Sequence, residues 1–278
     1  MSIARLMQQA AAGVPTGGGV VWTDPDLANA SYDSVSFSVA AEDGVPLGMF
    51  FKPDGAKVYI LGGAGDEVNE YDLSVAWDIS TASFNQVFDA SAQGIGPNGL
   101  FFSSDGTKMY IPEGINRVVN EYNLSTAWDV STATYSQNFS ISSQDTAPQE
   151  LFFKPDGTKM YLVGGAGDDV NEYSLSTAWD ISTASYVQNF SVSAQEANPH
   201  CIFFNPDGTK MYIAGSSGDD VNEYNLSSGW DISTASYVQN FSVASQETSP
   251  RGLFFKSDGS KMYIVGVTND TIYQYSTA

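Results

Sequence analysis

The one histidine and the one cysteine of the chain are adjacent, at His200-Cys201, and they lie in a repeated context. A pair of residues that follows a proline recurs every 51 residues, and no two of these pairs are alike. The five pairs are Leu47-Gly48, Asn98-Gly99, Gln149-Glu150, His200-Cys201 and Arg251-Gly252. Amide, imidazole, guanidinium and carboxylate groups at equivalent positions could bind a polar ligand or, with suitable partners, hydrolyse one.

These residues lack the combinations that known hydrolases need. A Ser-His-Asp triad would have to use His200, and the sequence has no G-x-S-x-G motif. A glycoside hydrolase needs two converging carboxylates, whereas Glu150 is the one carboxylate among the pairs. A phosphate-binding G-x-x-x-x-G-K-[ST] loop is absent, and a single cysteine rules out cysteine-based zinc sites. The sequence therefore predicts a non-enzymatic protein without a cofactor or a metal.

The elements that position these pairs form a long repeat. A Phe-Phe pair marks each unit, at Phe50-Phe51, Phe101-Phe102, Phe152-Phe153, Phe203-Phe204 and Phe254-Phe255. Each unit holds four strand-like runs, which in the third unit are "ELFFKP", "TKMYLV", "VNEYSL" and "SYVQNFSV". Pro155-Asp156-Gly157 joins the first two runs, and Pro and Gly suit a tight hairpin turn. Four strands per unit without a helical pattern is typical of a propeller blade.

The ends of the chain predict how the ring closes. The last unit stops at "YQYSTA", before its tryptophan and its fourth strand. Trp22, Tyr32 and Phe37 near the N-terminus have the pattern of that missing strand. We therefore expect an all-β, five-bladed β-propeller of four-stranded antiparallel blades over residues 22–278. The N-terminal strand would complete the fifth blade, and the variable pairs would surround one end of the central channel.

The motifs "PDGTKMY" and "VNEYSLST" resemble the YVTN-type repeats of bacterial β-propellers and, more weakly, kelch repeats. The likeness to kelch rests on the diglycines Gly62-Gly63 and Gly164-Gly165, but Pro112-Glu113 and Gly215-Ser216 depart from it. The resemblance implies a propeller and leaves its function open, because propellers support many functions.

The variable pairs have two interpretations. They form either a ligand site built from Asn98, Gln149, Glu150, His200 and Arg251, or a set of exposed positions that are free to vary.

Other residues recur in almost every blade. The acidic turns Asp66-Glu67, Asp168-Asp169 and Asp219-Asp220 could bind Ca²⁺, but they lack the known loop spacings and we expect solvated acids. Tryptophans recur at Trp77, Trp128, Trp179 and Trp230, as packing residues or as platforms that stack on sugars. The lysine of "TKMY" is expected to be a solvated charge at a strand edge.

Charge and hydropathy narrow the range of partners. The net charge is −21, which argues against nucleic acid and anionic membranes as partners. No segment approaches the roughly 18 apolar residues of a membrane-spanning helix. The first residues make a poor secretory signal because Gln8-Gln9 interrupts their apolar run.

Residues 1–21 lie outside the repeat and predict an anchor peptide with a flexible linker. "SIARLMQQAAA" favours a short helix with Ile3, Leu6 and Met7 on one side, and "GVPTGGG" follows it. "ARLMQQAAAG" resembles the N-termini of marine bacteriophage structural proteins. That resemblance implies a propeller on the surface of a virion, with other virion subunits as partners and a cell-surface glycan as a candidate ligand. The alternative is a free lectin with carbohydrate sites repeated between the blades.

Overall fold

The computed structural model describes residues 21–277. Twenty β-strands in this range form five four-stranded antiparallel sheets, which confirms the predicted five-bladed propeller. The anchor side chains of Ile3, Leu6 and Met7 lie outside the described residues, so the anchor stays a prediction.

The first three blades follow the chain without interruption. The strands of blade 1 are β2 (Pro46–Phe51), β3 (Lys57–Gly62), β4 (Glu67–Leu73) and β5 (Ala82–Asp89). Those of blade 2 are β6 (Phe101–Phe102), β7 (Lys108–Glu113), β8 (Val118–Leu124) and β9 (Ala133–Ser140). Those of blade 3 are β10 (Pro148–Phe153), β11 (Lys159–Gly164), β12 (Asp169–Leu175) and β13 (Ala184–Ser191).

The fifth blade joins the two ends of the chain. Blade 4 consists of β14 (Pro199–Phe204), β15 (Lys210–Gly215), β16 (Asp220–Leu226) and β17 (Ala235–Ser242). Blade 5 consists of β18 (Pro250–Phe255), β19 (Lys261–Gly266), β20 (Thr271–Ser276) and, from the N-terminus, β1 (Ser31–Ser38). Strand β1 pairs antiparallel with β20, with Phe37 opposite Ile272, as the sequence predicts.

A tryptophan covers the first hairpin of each of the first four blades. In blade 3, Gly157 has φ +72°, and the carboxylate of Asp156 accepts a hydrogen bond from the Thr158 amide at 3.0 Å. A Cβ atom at Gly157 would lie 2.5 Å from the indole of Trp179, so only glycine fits beneath the ring. The aspartate after the tryptophan, Asp180, then caps a 3₁₀ turn over Ile181–Thr183. These tryptophans are therefore packing residues.

The helices in the described part of the chain are short 3₁₀ turns, and none of them is long or apolar enough to cross a membrane.

Five phenylalanines meet on the central axis, one from the first strand of each blade. The centroid distances between neighbouring rings are 5.1–5.4 Å and the interplanar angles are 65–73°, around the whole circle. Edge-to-face contact is the favoured geometry for aromatic pairs, and it can be repeated around a closed ring. The members of this phenylalanine ring are Phe50, Phe101, Phe152, Phe203 and Phe254. They fill the axis that a propeller otherwise leaves open.

The lysine of "TKMY" is not a solvated edge charge, so that expectation was wrong. Lys57 Nζ lies 2.5 Å from Glu70, whose carboxylate is buried and also accepts a hydrogen bond from Gln86 at 3.0 Å. Gln86 donates to Asp129 of blade 2 at 2.7 Å, and Glu70 accepts from the Val130 amide at 3.2 Å. The ion pair therefore belongs to a network that ties one blade to the next.

In blade 5 the N-terminal strand supplies the carboxylate of this network. Gln274 occupies the position that Glu70 has in blade 1, and Asp33 of β1 replaces the missing charge. Lys261 Nζ lies 2.6 Å from Asp33, and the Gln274 amide donates to the same carboxylate at 2.8 Å. Trp22 takes the place of the fifth tryptophan, with its ring 6.4 Å from that of Phe203. The N-terminal segment therefore closes the ring through two kinds of contact, the ion pair between Asp33 and Lys261 and the aromatic contact between Trp22 and Phe203.

Each blade also buries one carboxylate beneath the turn between its second and third strands. In blade 1, Asp43 accepts hydrogen bonds from the amides of Val45 and Gly65, and a Cβ atom at Gly62 would lie 2.2 Å from its oxygen. In blade 2 the two positions are exchanged, because Gly94 stands where Asp43 would be and Glu113 stands where Gly62 would be. The departure from the diglycine pattern at Glu113 is thus a compensated exchange of one carboxylate for another.

The short first strand of blade 2 has a simple cause. Pro112 stands at the position of Leu61 in blade 1, which pairs with Gly48. Proline has no amide hydrogen, so the ladder is interrupted here and β6 keeps only Phe101–Phe102. The Asn98 amide still donates to the Pro112 carbonyl at 3.0 Å, which keeps the entering chain in place.

Removal of the closing strand should destabilise the whole ring. Deletion of residues 1–40 removes β1 together with Leu27 and Val39, which are fully buried and contribute about 1.5–3 kcal/mol each. It also exposes the edge of β20, which favours association between molecules. We expect a loss of more than about 3 kcal/mol in the free energy of unfolding, measured by urea denaturation. Deletion of residues 1–20 is the control and should leave that free energy unchanged. A monomeric 1–40 deletion of full stability would contradict this closure.

The exchanged carboxylate of blade 2 can be tested with a double-mutant cycle. Glu113→Gly leaves the amides of Ile115 and Asn116 without their acceptor, at a cost of about 1–3 kcal/mol in the free energy of unfolding. Gly94→Asp forces a second carboxylate against Glu113 and should also destabilise the protein. The double substitution returns the carboxylate to the position that it has in blade 1, so we expect urea denaturation to show a loss smaller than the sum of the two single losses. Recovery is partial, because Gly94 has φ +157° and any other residue is strained there. Simple additivity of the two losses would disprove the exchange.

Candidate functional site

The first strands of the blades converge at the level of the variable pairs. A Cβ atom at Gly48 would lie 3.1 Å from Cα of Gly99, and one at Gly99 would lie 2.7 Å from Cα of Glu150. A Cβ atom at Gly252 would lie 2.9 Å from the amide nitrogen of Met49, across the boundary between blades 5 and 1. The second residues of the pairs therefore pack backbone against backbone around the axis. The first residues, here called the channel mouth, are Leu47, Asn98, Gln149, His200 and Arg251.

Three channel-mouth side chains from successive blades form a continuous line. Nδ1 of His200 lies 3.0 Å from Oε1 of Gln149 and 2.9 Å from Nη1 of Arg251. Nε2 of His200 lies 3.2 Å from the hydroxyl of Ser216, which accepts a hydrogen bond from Asn198 at 2.6 Å. Asn98 stands apart from this line and donates to the carbonyl of Pro148 at 2.9 Å.

The line of side chains is chemically incomplete. A guanidinium can only donate, whereas the amide oxygen of Gln149 can only accept. The single Nδ1 atom of His200 therefore satisfies Arg251 when it is unprotonated or Gln149 when it carries the proton, but never both. Either tautomer leaves one hydrogen-bonding group at the mouth without a partner, and a ligand could supply it.

Burial, and then the positive charge of Arg251, lower the pKa of His200 to about 3. The imidazole is 4% exposed and therefore neutral at physiological pH. Burial also lowers the pKa of Arg251, but a guanidinium stays protonated throughout the physiological range. The site thus carries one fixed positive charge beside a neutral ring.

Glu150 does not join the other candidate residues. Its side chain is buried on the axis among the glycine positions, where Oε2 accepts a hydrogen bond from the Ile202 amide at 2.9 Å. Burial raises the pKa of Glu150 well above its usual range, and that hydrogen bond opposes the shift. Burial, with the nearby charge of Glu150, likewise raises the pKa of Cys201. These two residues occupy the positions that are glycine in the other three blades.

The repeated residues that could have formed sites are occupied by the protein itself. The ring of Trp128 is stacked with that of Phe50 at 6.2 Å, while its other contacts include the turn glycine Gly106. Asp169 is buried, so the expectation of a solvated acid was wrong at this position. It accepts hydrogen bonds from Asn171 and Asn189, and burial raises the pKa of its carboxyl. In residues 21–277, no three His, Cys, Asp or Glu side chains are placed to hold a metal ion together.

The sequence pattern identified the channel-mouth positions but not two residues that lie beside them. Ser216 and Asn198 belong to the diglycine turn and to the loop before β14, and they reach His200 from those loops. One signal was available, because Ser216 replaces a glycine that the first three blades have at this position.

Comparison with solved structures confirms the architecture. The chain is similar to a proposed 6-phosphogluconolactonase from Bacteroides uniformis, with a TM-score of 0.52, 16% identity, and coverage of 83% of this chain and 66% of that one. A second proposed 6-phosphogluconolactonase, from Bacteroides fragilis, has a TM-score of 0.54 and 14% identity, over 80% of this chain and 77% of that one.

The β-propeller domain of Cps50 (Swd1) from Myceliophteria thermophila is also similar. Its TM-score is 0.51 at 7% identity, and the match covers 90% of this chain and all of that domain. At these identities the similarity shows the fold alone, and the chain spans just under two thirds of the length of the Bacteroides uniformis protein. No protein-family model and no curated protein matches the chain.

The one histidine allows a direct test of the electrostatics at the channel mouth. Because the pKa of His200 lies near 3, its imidazole proton NMR signals should not shift between about pH 5 and pH 8. Arg251→Gln removes the neighbouring charge and should raise the pKa. An unfolded chain takes up this proton near pH 6.5, so His200 makes stability fall as the pH is lowered from about 6.5 towards 3. A titration midpoint near 6.5 in the folded protein would contradict the buried, neutral imidazole.

Proposed function

We propose that this propeller is a non-enzymatic binding module that presents its channel mouth to a ligand. The observation that carries the proposal is the line from Gln149 through His200 to Arg251. Gln149 and Arg251 compete for the single Nδ1 atom of His200, so one of them is left without a hydrogen-bond partner. The blades repeat their turns, tryptophans and ion pairs, but they differ at these positions. A site made of different side chains in equivalent places suits the recognition of one asymmetric small ligand.

The geometry of the mouth supports binding more than catalysis. The acid-base pair of a glycoside hydrolase would need a second carboxylate near Glu150, and the channel-mouth positions have none. Glu150 itself is hydrogen bonded to the backbone below the mouth. His200 is a neutral base, and Ser216 is the one serine or cysteine among its hydrogen-bond partners. The hydroxyl of Ser216 also accepts a hydrogen bond from Asn198.

The lactonase names of two similar structures give the enzymatic alternative a specific assay. Purified full-length protein should not accelerate hydrolysis of 6-phosphogluconolactone above the rate without protein, measured by pH-stat titration. Turnover that Arg251→Gln abolishes would show that the mouth is an active site.

We further propose that the propeller is displayed on a larger assembly through residues 1–20, and that this assembly is a phage virion. The support is the predicted anchor helix with its glycine linker and the resemblance of this segment to phage structural proteins. The free lectin with sites between the blades has less support, because neighbouring residues cover the tryptophan rings that would bind sugars.

Attachment can be tested at the two central apolar residues of the anchor. Burial of such side chains contributes about 1.5–3 kcal/mol each, so several copies must bind together to hold the propeller. Leu6→Ser with Met7→Ser should release the propeller from virions, measured by mass spectrometry of purified particles. The melting temperature should not change. Gln8→Ser with Gln9→Ser is the control and should still be incorporated. Normal incorporation of the first variant would disprove attachment through this peptide.

A further inference from the structure

Arg251 differs from the lysines of this chain in having no acidic partner. Each of the eight lysines forms an ion pair with a carboxylate. Arg251 is half-buried at the channel mouth, and its polar side-chain contact is the uncharged ring of His200 at 2.9 Å. Its Nε is buried without a hydrogen-bond partner. In a protein with 32 acidic residues, a half-buried guanidinium without a carboxylate partner has the properties of an anion site.

We propose that the channel mouth binds an acidic sugar, with its carboxylate on Arg251 and its hydroxyls on the side-chain amides of Gln149 and Asn98. This inference rests on the proposed binding role of the mouth and assigns the ligand's chemical class. The guanidinium offers two parallel donors to a planar carboxylate. The amides each provide a donor and an acceptor, which is what a sugar hydroxyl requires.

The charges around the mouth favour a carboxylate over a phosphate ester. The buried acids Glu247 and Glu196 lie near the site, and the negative charge of Glu247 acts on Arg251. A single guanidinium balances one negative charge, whereas a phosphate monoester brings close to two at neutral pH. The second charge would stand uncompensated in a protein of net charge −21.

Binding should change the tautomer of His200. Without ligand, Nδ1 accepts a hydrogen bond from Arg251 and Nε2 carries the proton towards Ser216. When a ligand carboxylate accepts the hydrogen bonds of the guanidinium, Nδ1 of His200 no longer has to accept from Arg251. Nδ1 can then carry the proton and donate to Gln149 at 3.0 Å, while Nε2 accepts from the Ser216 hydroxyl. The imidazole stays neutral, so one proton moves from Nε2 to Nδ1 without net uptake. The incompatibility between Arg251 and Gln149 is thereby removed.

Isothermal titration calorimetry of the full chain with glucuronate, glucose and glucose 6-phosphate tests this ligand class. We expect glucuronate to bind at least about tenfold more tightly than either other sugar. Glucose lacks a charge-assisted hydrogen bond, which is about twice as strong as a neutral one, and glucose 6-phosphate brings a second charge that has no partner. Arg251→Gln should abolish that preference. Arg117→Asn removes the same charge from an exposed turn and should preserve it. In ¹⁵N-histidine spectra, glucuronate should move the proton from Nε2 to Nδ1.

The other outcomes overturn the proposal in distinguishable ways. Tighter binding of glucose or glucose 6-phosphate, lost in Arg251→Gln, would keep the mouth as a binding site but refute the carboxylate. Glucuronate binding that survives Arg251→Gln would place the sugar elsewhere on the propeller. A lack of binding by all three sugars, in protein with an unperturbed histidine spectrum, would refute the acidic-sugar site. The proposed attachment through residues 1–20 does not depend on this result, because the incorporation experiment tests it separately.

Discussion

The ring of five phenylalanines on the axis is the contact on which this propeller depends. Each ring meets two neighbours edge to face, with centroids 5.1–5.4 Å apart, so each blade must present the same side chain at the same depth. A propeller that closes on five nearly identical blades therefore keeps Phe50 and its equivalents, and it fills the space between blades with repeated tyrosines and tryptophans. Variation is tolerated where the axis opens above this ring. That place is the channel mouth.

The buried carboxylates show how the repeat keeps its electrostatics when single residues change. Glu113 performs in blade 2 the role of Asp43 in blade 1, and Asp33 from the N-terminus replaces the charge that Gln274 lacks. In blade 2 the carboxylate lies on the second strand instead of the loop before the first, and it still accepts hydrogen bonds from the turn amides. In blade 5 it lies on the fourth strand instead of the third, and it still pairs with the lysine. A half-buried lysine or a row of turn amides left without its anion would destabilise the fold by about 1–3 kcal/mol, so each missing carboxylate is replaced by another one.

Much of this architecture could be predicted from the sequence because the repeat encodes it. The period of 51 residues, the four runs per unit and the pattern of Trp22, Tyr32 and Phe37 gave the blades and their closure. Contacts between blades could not be read in the same way. The network that links Lys57 and Glu70 to Gln86 and to the Val130 amide spans three strands and a blade boundary, and periodicity does not show which repeated residues face each other. For the same reason the sequence placed Glu150 beside His200, whereas alternation along β10 directs it into the axis.

At the channel mouth five equivalent positions carry five different side chains around a common axis, and the proposed carboxylate site lies there. A crystal structure of the full chain grown with glucuronate would locate the ligand. We expect density for the sugar over the mouth, with its carboxylate within hydrogen-bonding distance of Arg251 and its hydroxyls near Gln149. Density between blades, on the tryptophan turns, or at the opposite end of the axis beyond the phenylalanine ring would contradict a binding site at the mouth.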